Sequence, residues 1–161
     1  MKISRPLRVK HSYTQTLVGP PETVFPLLCP VREVEWVAGW DPKLVISESG
    51  VAELDCIFVM HDHPHEAIWV ITQWEPQTYF IEFLKVTPEV TVGRIEIRLR
   101  PGEANQTLAD VSYAYTALSE AGEHFIAHFT EEHYTAFMQE WEAELNHFLT
   151  TGRKRPGNPH P

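Results

Sequence analysis

Residues 130–151 contain neither proline nor glycine, and their apolar side chains recur at spacings of three and four. That pattern predicts an amphipathic helix with one apolar face. Thr130 can cap its start and Gly152 can end it. Each large side chain gains about 1.5–3 kcal/mol when it is buried, so this face requires a partner surface within the fold. The face comprises Tyr134, Phe137, Met138, Trp141, Leu145, Phe148 and Leu149.

The preceding sequence is typical of short strands joined by tight turns, and such a sheet is the partner that the helix requires. Residues 94–100 show the clearest alternation, with Ile95, Ile97 and Leu99 on one face and charged side chains on the other. One face of the sheet is therefore expected to meet solvent. Short loops between successive strands predict a seven-stranded antiparallel meander. Its strands are residues 9–18, 43–47, 53–60, 67–74, 79–86, 94–100 and 107–118.

Two short helices are predicted between the first and second strands, over residues 23–28 and 31–37. Pro26, Pro30 and Gly39 keep both of them short. A further helical piece is expected over residues 120–129. The predicted fold class is α+β, with a curved antiparallel sheet, two short helices and a long C-terminal helix. Residues 1–151 are expected to form a single domain, and residues 152–161 a disordered tail.

Charge argues against a nucleic-acid partner. The net charge is −9, and between His11 and Gly152 only six Lys or Arg residues accompany all 22 acidic residues. Such a surface repels phosphates. No stretch approaches the roughly 20 apolar residues that membrane insertion needs, and no signal peptide is expected. Cys29 and Cys56 are too few for a disulfide scaffold, so a cytoplasmic protein with two buried thiols is predicted.

The order of these elements resembles the helix-grip fold of the START and pollen-allergen superfamily, also called SRPBCC or polyketide cyclase-like. Several short segments are similar to an uncharacterised bacterial branch of that superfamily. They are VFPLLCPVRE at 24–33, EW at 35–36, GW at 39–40, IWV at 68–70, TALS at 116–119 and WE at 141–142. The likeness covers nearly the whole chain.

This resemblance implies a ligand cavity between the sheet and the long helix. Aromatic walls with a few polar tips suit a small hydrophobic or aromatic ligand. The alternative for each residue is that it simply packs the core. The predicted ligand-binding residues are Trp36, Trp40, Phe58, Met60, Trp69, Ile71, Phe83, Ile95, Ile97, Tyr113, Phe129, Phe137 and Trp141.

No cofactor is expected, although two groups of histidines could form a divalent metal site at the cavity mouth. His61, His63 and His65 follow the third strand, and His124, His128 and His133 lie near the start of the C-terminal helix. Neutral imidazoles could bind Zn²⁺ there, with Asp62 or Glu66 as an oxygen ligand. The alternative is that these histidines are exposed polar residues without a metal.

The charges of Arg32, Glu33 and Glu35 form a further candidate site beside Trp36 and Trp40. Glu35 could orient a polar group of a ligand. The favoured interpretation is structural, because charged side chains on a short surface helix usually form exposed ion pairs.

Two functions remain open. The first is binding of a small hydrophobic or aromatic molecule by a carrier or sensor. The second is a cyclase or dehydratase that uses histidine or tyrosine acid/base chemistry in the same cavity. No GxGxxG, P-loop or GxSxG motif occurs in the sequence. A monomer or a homodimer is compatible with these features.

Overall fold

The computed structural model describes residues 1–157 as one sheet with helices against it. The strands are β1 (Arg8–Leu17), β2 (Leu44–Ile46), β3 (Ile57–Asp62), β4 (His65–Glu75), β5 (Phe80–Thr87), β6 (Thr91–Pro101) and β7 (Thr107–Ala117). The helices are α1 (Pro21–Val24), two 3₁₀ helices (Phe25–Leu28 and Arg32–Glu35), α2 (Glu120–His128) and α3 (Glu131–Thr151). No helix within the described residues is both long and apolar enough to span a membrane.

The sheet is antiparallel, with the order β1-β7-β6-β5-β4-β3-β2. The predicted α+β class, with seven strands and a long C-terminal helix, is confirmed. The prediction of a meander, in which each strand pairs with the next strand in sequence, is wrong for β1. This strand pairs with β7, from Arg8↔Thr116 to Leu17↔Thr107. The short helices therefore connect opposite edges of the sheet, because β2 lies at the far edge.

The third strand differs from the prediction at both ends. It begins at Ile57 rather than at residue 53, because the Glu53 carboxylate accepts hydrogen bonds from the Ser49 amide (3.1 Å) and the Ser47 hydroxyl (3.1 Å). These bonds form a compact loop instead of extended backbone. At the other end the strand continues to Asp62, and β4 starts at His65. The histidine-rich segment is thus the tip of a hairpin.

Helix α3 packs most extensively against β1. Tyr134, Met138 and Leu145 are fully buried, as the apolar stripe predicts. The Tyr134 hydroxyl donates to the Val111 carbonyl on β7 at 2.6 Å, and the Gln15 amide on β1 donates to the Met138 carbonyl at 3.1 Å. These two bonds fix the helix in position across neighbouring strands at the edge of the sheet.

Both ends of α3 agree with the sequence pattern. The Thr130 hydroxyl accepts from the His133 amide at 3.1 Å, and Gly152 ends the helix with a φ of 67°. Beyond it, Arg155 pairs with Glu140 at 2.8 Å. Residues 158–161 of the predicted tail lie outside the described residues.

The start of α2 lies unusually close to the turn between β5 and β6. A Cβ atom at Gly122 would lie 2.0 Å from the Val90 carbonyl oxygen and 3.1 Å from the Ala117 Cα. The Ser119 hydroxyl also donates to the Glu89 carbonyl. Only glycine allows this approach, which positions α2 beside the end of the sheet.

We expect Gly122→Ala to destabilise the protein, although Ala normally stabilises a helix by about 1 kcal/mol relative to Gly. The clash with Val90 is expected to cost about 1–3 kcal/mol. Urea denaturation measures this difference. Ala127→Ser, on the exposed face of the same helix, should change stability by less than about 0.5 kcal/mol. An unfolding free energy that increases in Gly122→Ala would contradict the close approach.

Candidate functional site

A cavity of about 290 Å³ lies between the sheet and the helices. Side chains from β3 to β7, from the segment 33–40 and from helices α2 and α3 form its walls. Its lining comprises Glu33, Val37, Ala38, Gly39, Trp40, Phe58, Met60, His61, Asp62, Ala67, Trp69, Phe83, Lys85, Ile95, Ile97, Tyr113, Tyr115, Phe125, Phe129, His133, Phe137 and Trp141. The space is therefore enclosed mainly by aromatic and aliphatic groups.

The structure brings together all the predicted ligand-binding residues except Trp36 and Ile71. Trp36 is fully buried, its indole N–H donates to the Leu27 carbonyl at 2.9 Å, and its ring stacks on Trp141 at 5.7 Å. It therefore supports the cavity wall from behind. Ile71 is also fully buried in the core and does not line the space.

Ring packing positions the aromatic wall. Phe58 stacks on Trp69 with centroids 5.4 Å apart, and Phe83 meets Phe58 edge-on at 6.1 Å. On the helix side, Phe137 meets Tyr113 edge-on at 5.8 Å. Such pairs restrict ring motion, so the cavity walls are formed before any ligand arrives.

A charged pair lies in this apolar wall and was not predicted. Lys85 Nζ lies 2.8 Å from Asp62 Oδ2, and the lysine side chain is only 12% exposed. Burial opposes the lysine charge, but the neighbouring Tyr115 and Asp62 outweigh it and raise the lysine pKa. The ammonium group is therefore retained at neutral pH. Phe83 and Lys85 share one face of β5, so the alternation of this strand could have identified the lysine.

The cavity tyrosines are neutral at physiological pH. Burial raises the pKa of Tyr113 well above its ordinary value, and the nearby Tyr115, Tyr134 and Glu33 add to this shift. Burial also raises the pKa of Tyr115, against the opposing effect of Lys85. Both hydroxyl groups can donate a hydrogen bond, but neither is suited to act as a base near pH 7.

Glu33, one of the charged residues of the candidate site at 32–35, is a further polar group of the cavity. The interpretation that residues 32–35 form surface ion pairs is correct for Arg32 and Glu35, which lie 3.1 Å apart. It is wrong for Glu33, which is 8% exposed and lines the cavity. No hydrogen bond to its carboxyl group is found within residues 1–157. Burial raises the pKa of Glu33 to about 8, so the group is mostly a neutral acid at pH 7.

The histidines form two separate pairs. The rings of His61 and His63 stack at 5.6 Å, and those of His124 and His128 lie 4.8 Å apart. His61 and His133 line the cavity. In the part of the chain that the structure describes, no three His, Cys, Asp or Glu side chains are arranged to bind a metal ion.

The metal site therefore stays a prediction from the sequence, without a set of three such side chains within residues 1–157. His61 and Asp62, although neighbours on β3, both line the cavity. Glu66 pairs with Lys43 at 2.5 Å, and the same carboxylate oxygen lies 3.8 Å from His61 Nδ1.

Solved structures with the same fold are similar over nearly the whole chain. Norcoclaurine synthase from Thalictrum flavum has a TM-score of 0.66 at 10% identity, over 91% of this chain and 88% of that one. Ara h 8.0201 has a TM-score of 0.59 at 10% identity, over 89% and 99%. CalU16 from Micromonospora echinospora has a TM-score of 0.57 at 16% identity, over 95% and 88%. At these identities the likeness shows the fold, and the predicted helix-grip resemblance is confirmed.

No protein-family model matches the sequence. The search of curated proteins also finds no significant match. The function is therefore inferred from the residues of the cavity itself.

We expect Glu33 to make the folded protein less stable as pH rises. The unfolded chain releases this proton near pH 4.5, whereas the folded chain keeps it until about pH 8. Between these values the folded state binds more protons, so the free energy of unfolding falls by about 1.4 kcal/mol per pH unit. The accumulated loss is roughly 3–5 kcal/mol at pH 8 and absent below pH 4.5.

Glu33→Gln removes this proton linkage, so its stability relative to the native chain should increase from about pH 5 to about pH 8. Urea denaturation at both pH values measures the change. Glu35→Gln, on the same 3₁₀ helix but exposed and paired with Arg32, is the matched control and should show little pH-dependent difference. A stability difference for Glu33→Gln that is the same at both pH values would refute the buried neutral acid.

Proposed function

We propose that this helix-grip protein binds one small aromatic molecule in the cavity between the sheet and α3. The observation that supports this most directly is the unfilled space of about 290 Å³ enclosed by aromatic rings. An apolar wall with a few polar groups is the usual character of small-molecule sites. The polar groups here include Glu33, Lys85 with its partner Asp62, the two cavity tyrosines, His61 and His133.

The size of the cavity limits the ligand. A cavity of about 150 Å³ suffices to bind benzene, whereas drug-sized ligands occupy about 300–1,000 Å³. The present volume lies between benzene-sized and drug-sized sites and favours a molecule with one or two rings. A long-chain lipid would require the walls to move apart.

The structural neighbours are compatible with such a ligand. One structure of norcoclaurine synthase, similar at a TM-score of 0.66 and 9% identity, is a complex with dopamine and hydroxybenzaldehyde, which are both single-ring molecules. That complex supports the ligand size proposed here. The identity is too low to transfer the reaction of that enzyme to this chain.

An enzyme of the cyclase or dehydratase type is the alternative, and one observation favours it. Glu33 has a pKa of about 8 in a cavity that also contains the Lys85 ammonium group. A group with a pKa near neutrality is suited to proton transfer, and a fixed positive charge can stabilise a developing oxyanion. Tyr113 and Tyr115 fit the role of base less well, since their pKa values are raised further from neutrality.

We expect Ala67→Phe to abolish binding of a neutral aromatic probe such as 2-phenylethanol. Ala67 is fully buried and lines the cavity, so a phenyl ring there would occupy the space of the ligand. Isothermal titration calorimetry measures the affinity, and circular dichroism confirms that the variant is folded. The extra volume is expected to cost no more than about 1–3 kcal/mol of stability.

Ile68→Phe is the matched control, because the adjacent side chain is exposed at 40% on the other face of β4. It should keep the affinity of the native chain. If Ala67→Phe and Ile68→Phe bind the probe equally well, the cavity is not the binding site.

A further inference from the structure

We propose that the natural ligand carries an ammonium group and that the Glu33 carboxylate is its counter-ion inside the cavity. The inference rests on the proposed function and narrows it from small aromatic molecules to aromatic amines. Glu33 is a positioning and specificity group in this account, and no reaction is required of it.

The polar groups of the cavity leave one buried carboxyl group without a partner. Lys85 is already neutralised by Asp62 at 2.8 Å. Glu33 is more than nine-tenths buried, and its carboxyl group lacks a hydrogen-bond partner within residues 1–157. Burying an ionised carboxylate without a partner is costly, and a buried acid without a hydrogen bond in the described chain needs another explanation. A cationic ligand supplies the absent partner.

The surrounding rings also suit a cation. Trp40, Phe58 and Trp141 line the same space as Glu33. The face of an aromatic ring attracts an ammonium group by about 0.5–2 kcal/mol, most strongly when the group is desolvated. An anionic ligand would gain nothing from these faces and would meet the carboxylate. The same rings accommodate the aromatic part of the ligand by stacking.

The net charge of the whole chain also favours a cationic ligand. A net charge of −9 attracts cations toward the protein and repels anions. Lys85 does not reverse this preference, since its charge is paired. Anionic aromatic ligands are therefore disfavoured both on approach and in the cavity.

Binding of an ammonium ligand beside Glu33 is expected to release a proton near pH 7. At pH 7 most Glu33 carboxyl groups retain their proton, given a pKa of about 8. Pairing with an ammonium ion requires the ionised carboxylate, so binding at pH 7 transfers nearly one proton from Glu33 to the buffer. The ammonium ion itself keeps its protons, because a primary amine has a pKa of about 10.4.

Other titratable groups surround Glu33, and the Glu33→Gln variant separates their proton release from that of Glu33. Tyr113 faces it from β7, and its raised pKa keeps the hydroxyl protonated. Arg32 and Glu35 on its own helix pair with each other. The remaining titratable groups that line the cavity are His61, Asp62, Lys85, Tyr115 and His133.

The experiment compares 2-phenylethylammonium with 2-phenylethanol, which has a similar shape but no charge. Isothermal titration calorimetry in two buffers with different ionisation enthalpies gives the number of protons released. At about pH 7 the amine should release nearly one proton and the alcohol none. Between about pH 7 and pH 8 the affinity for the amine should rise about fivefold, because the ionised fraction of Glu33 rises from about one tenth to about one half.

Glu33→Gln should lose at least tenfold in affinity for the amine at about pH 8 and should abolish proton release. Its affinity for 2-phenylethanol should stay within about twofold. Glu35→Gln should bind both probes as the native chain does. The native chain's proton release gives an independent result if Glu33→Gln does not fold.

Each outcome decides between the two proposals. If the alcohol binds but the amine binds no more tightly and releases no proton, the amine inference is overturned and the cavity function stands. If amine affinity is unchanged in Glu33→Gln, Glu33 is not the counter-ion. If neither probe binds the native chain, the proposed cavity function fails and this inference fails with it.

Discussion

The packing of one long helix against a sheet is the constraint on which the rest of the structure depends. The buried stripe of α3, together with the Tyr134 hydrogen bond to Val111, fixes the helix beside β1 and β7. Residues nearer its start and middle, including Phe137 and Trp141, then face the inner surface of the sheet across a gap. Trp36 supports Trp141 from behind, so this part of the wall does not collapse into the space. The cavity is thus a consequence of where the helix is fixed.

Two ionisable groups in this apolar space differ in how the cost of burying their charge is met. Lys85 is paired with Asp62 and keeps its charge. Glu33 has no such partner in the described chain and is mostly neutral at pH 7, since burial raises its pKa to about 8. A protein selected only for stability would gain from replacing this acid by an apolar residue. A buried ionisable group with a strongly shifted pKa in a cavity is typical of functional sites, where stability is exchanged for recognition.

Much of the fold could be predicted because its signals are periodic. The spacing of three and four in α3 and the alternation in β6 identify buried faces without knowledge of the partner elements. Most of the residues that the helix-grip resemblance placed near the cavity line it, whereas Lys85, on the same face of β5 as Phe83, was not among them. Glu33 could not be identified from periodicity, because a 3₁₀ helix of one turn has no period that distinguishes its inner from its outer side. The pairing of β1 with β7 and the separation of the histidine pairs depend on contacts distant in sequence.

The central claim is that the space beneath α3 binds an aromatic molecule among the rings that line it. The most direct measurement is an isotope-filtered nuclear Overhauser spectrum of the protein saturated with 2-phenylethanol. The account predicts cross-peaks from the ring of the probe to Trp40, Phe58 and Phe137, which line the cavity. Cross-peaks confined to exposed apolar residues such as Leu44 and Ile46, or the absence of saturable binding, would contradict it.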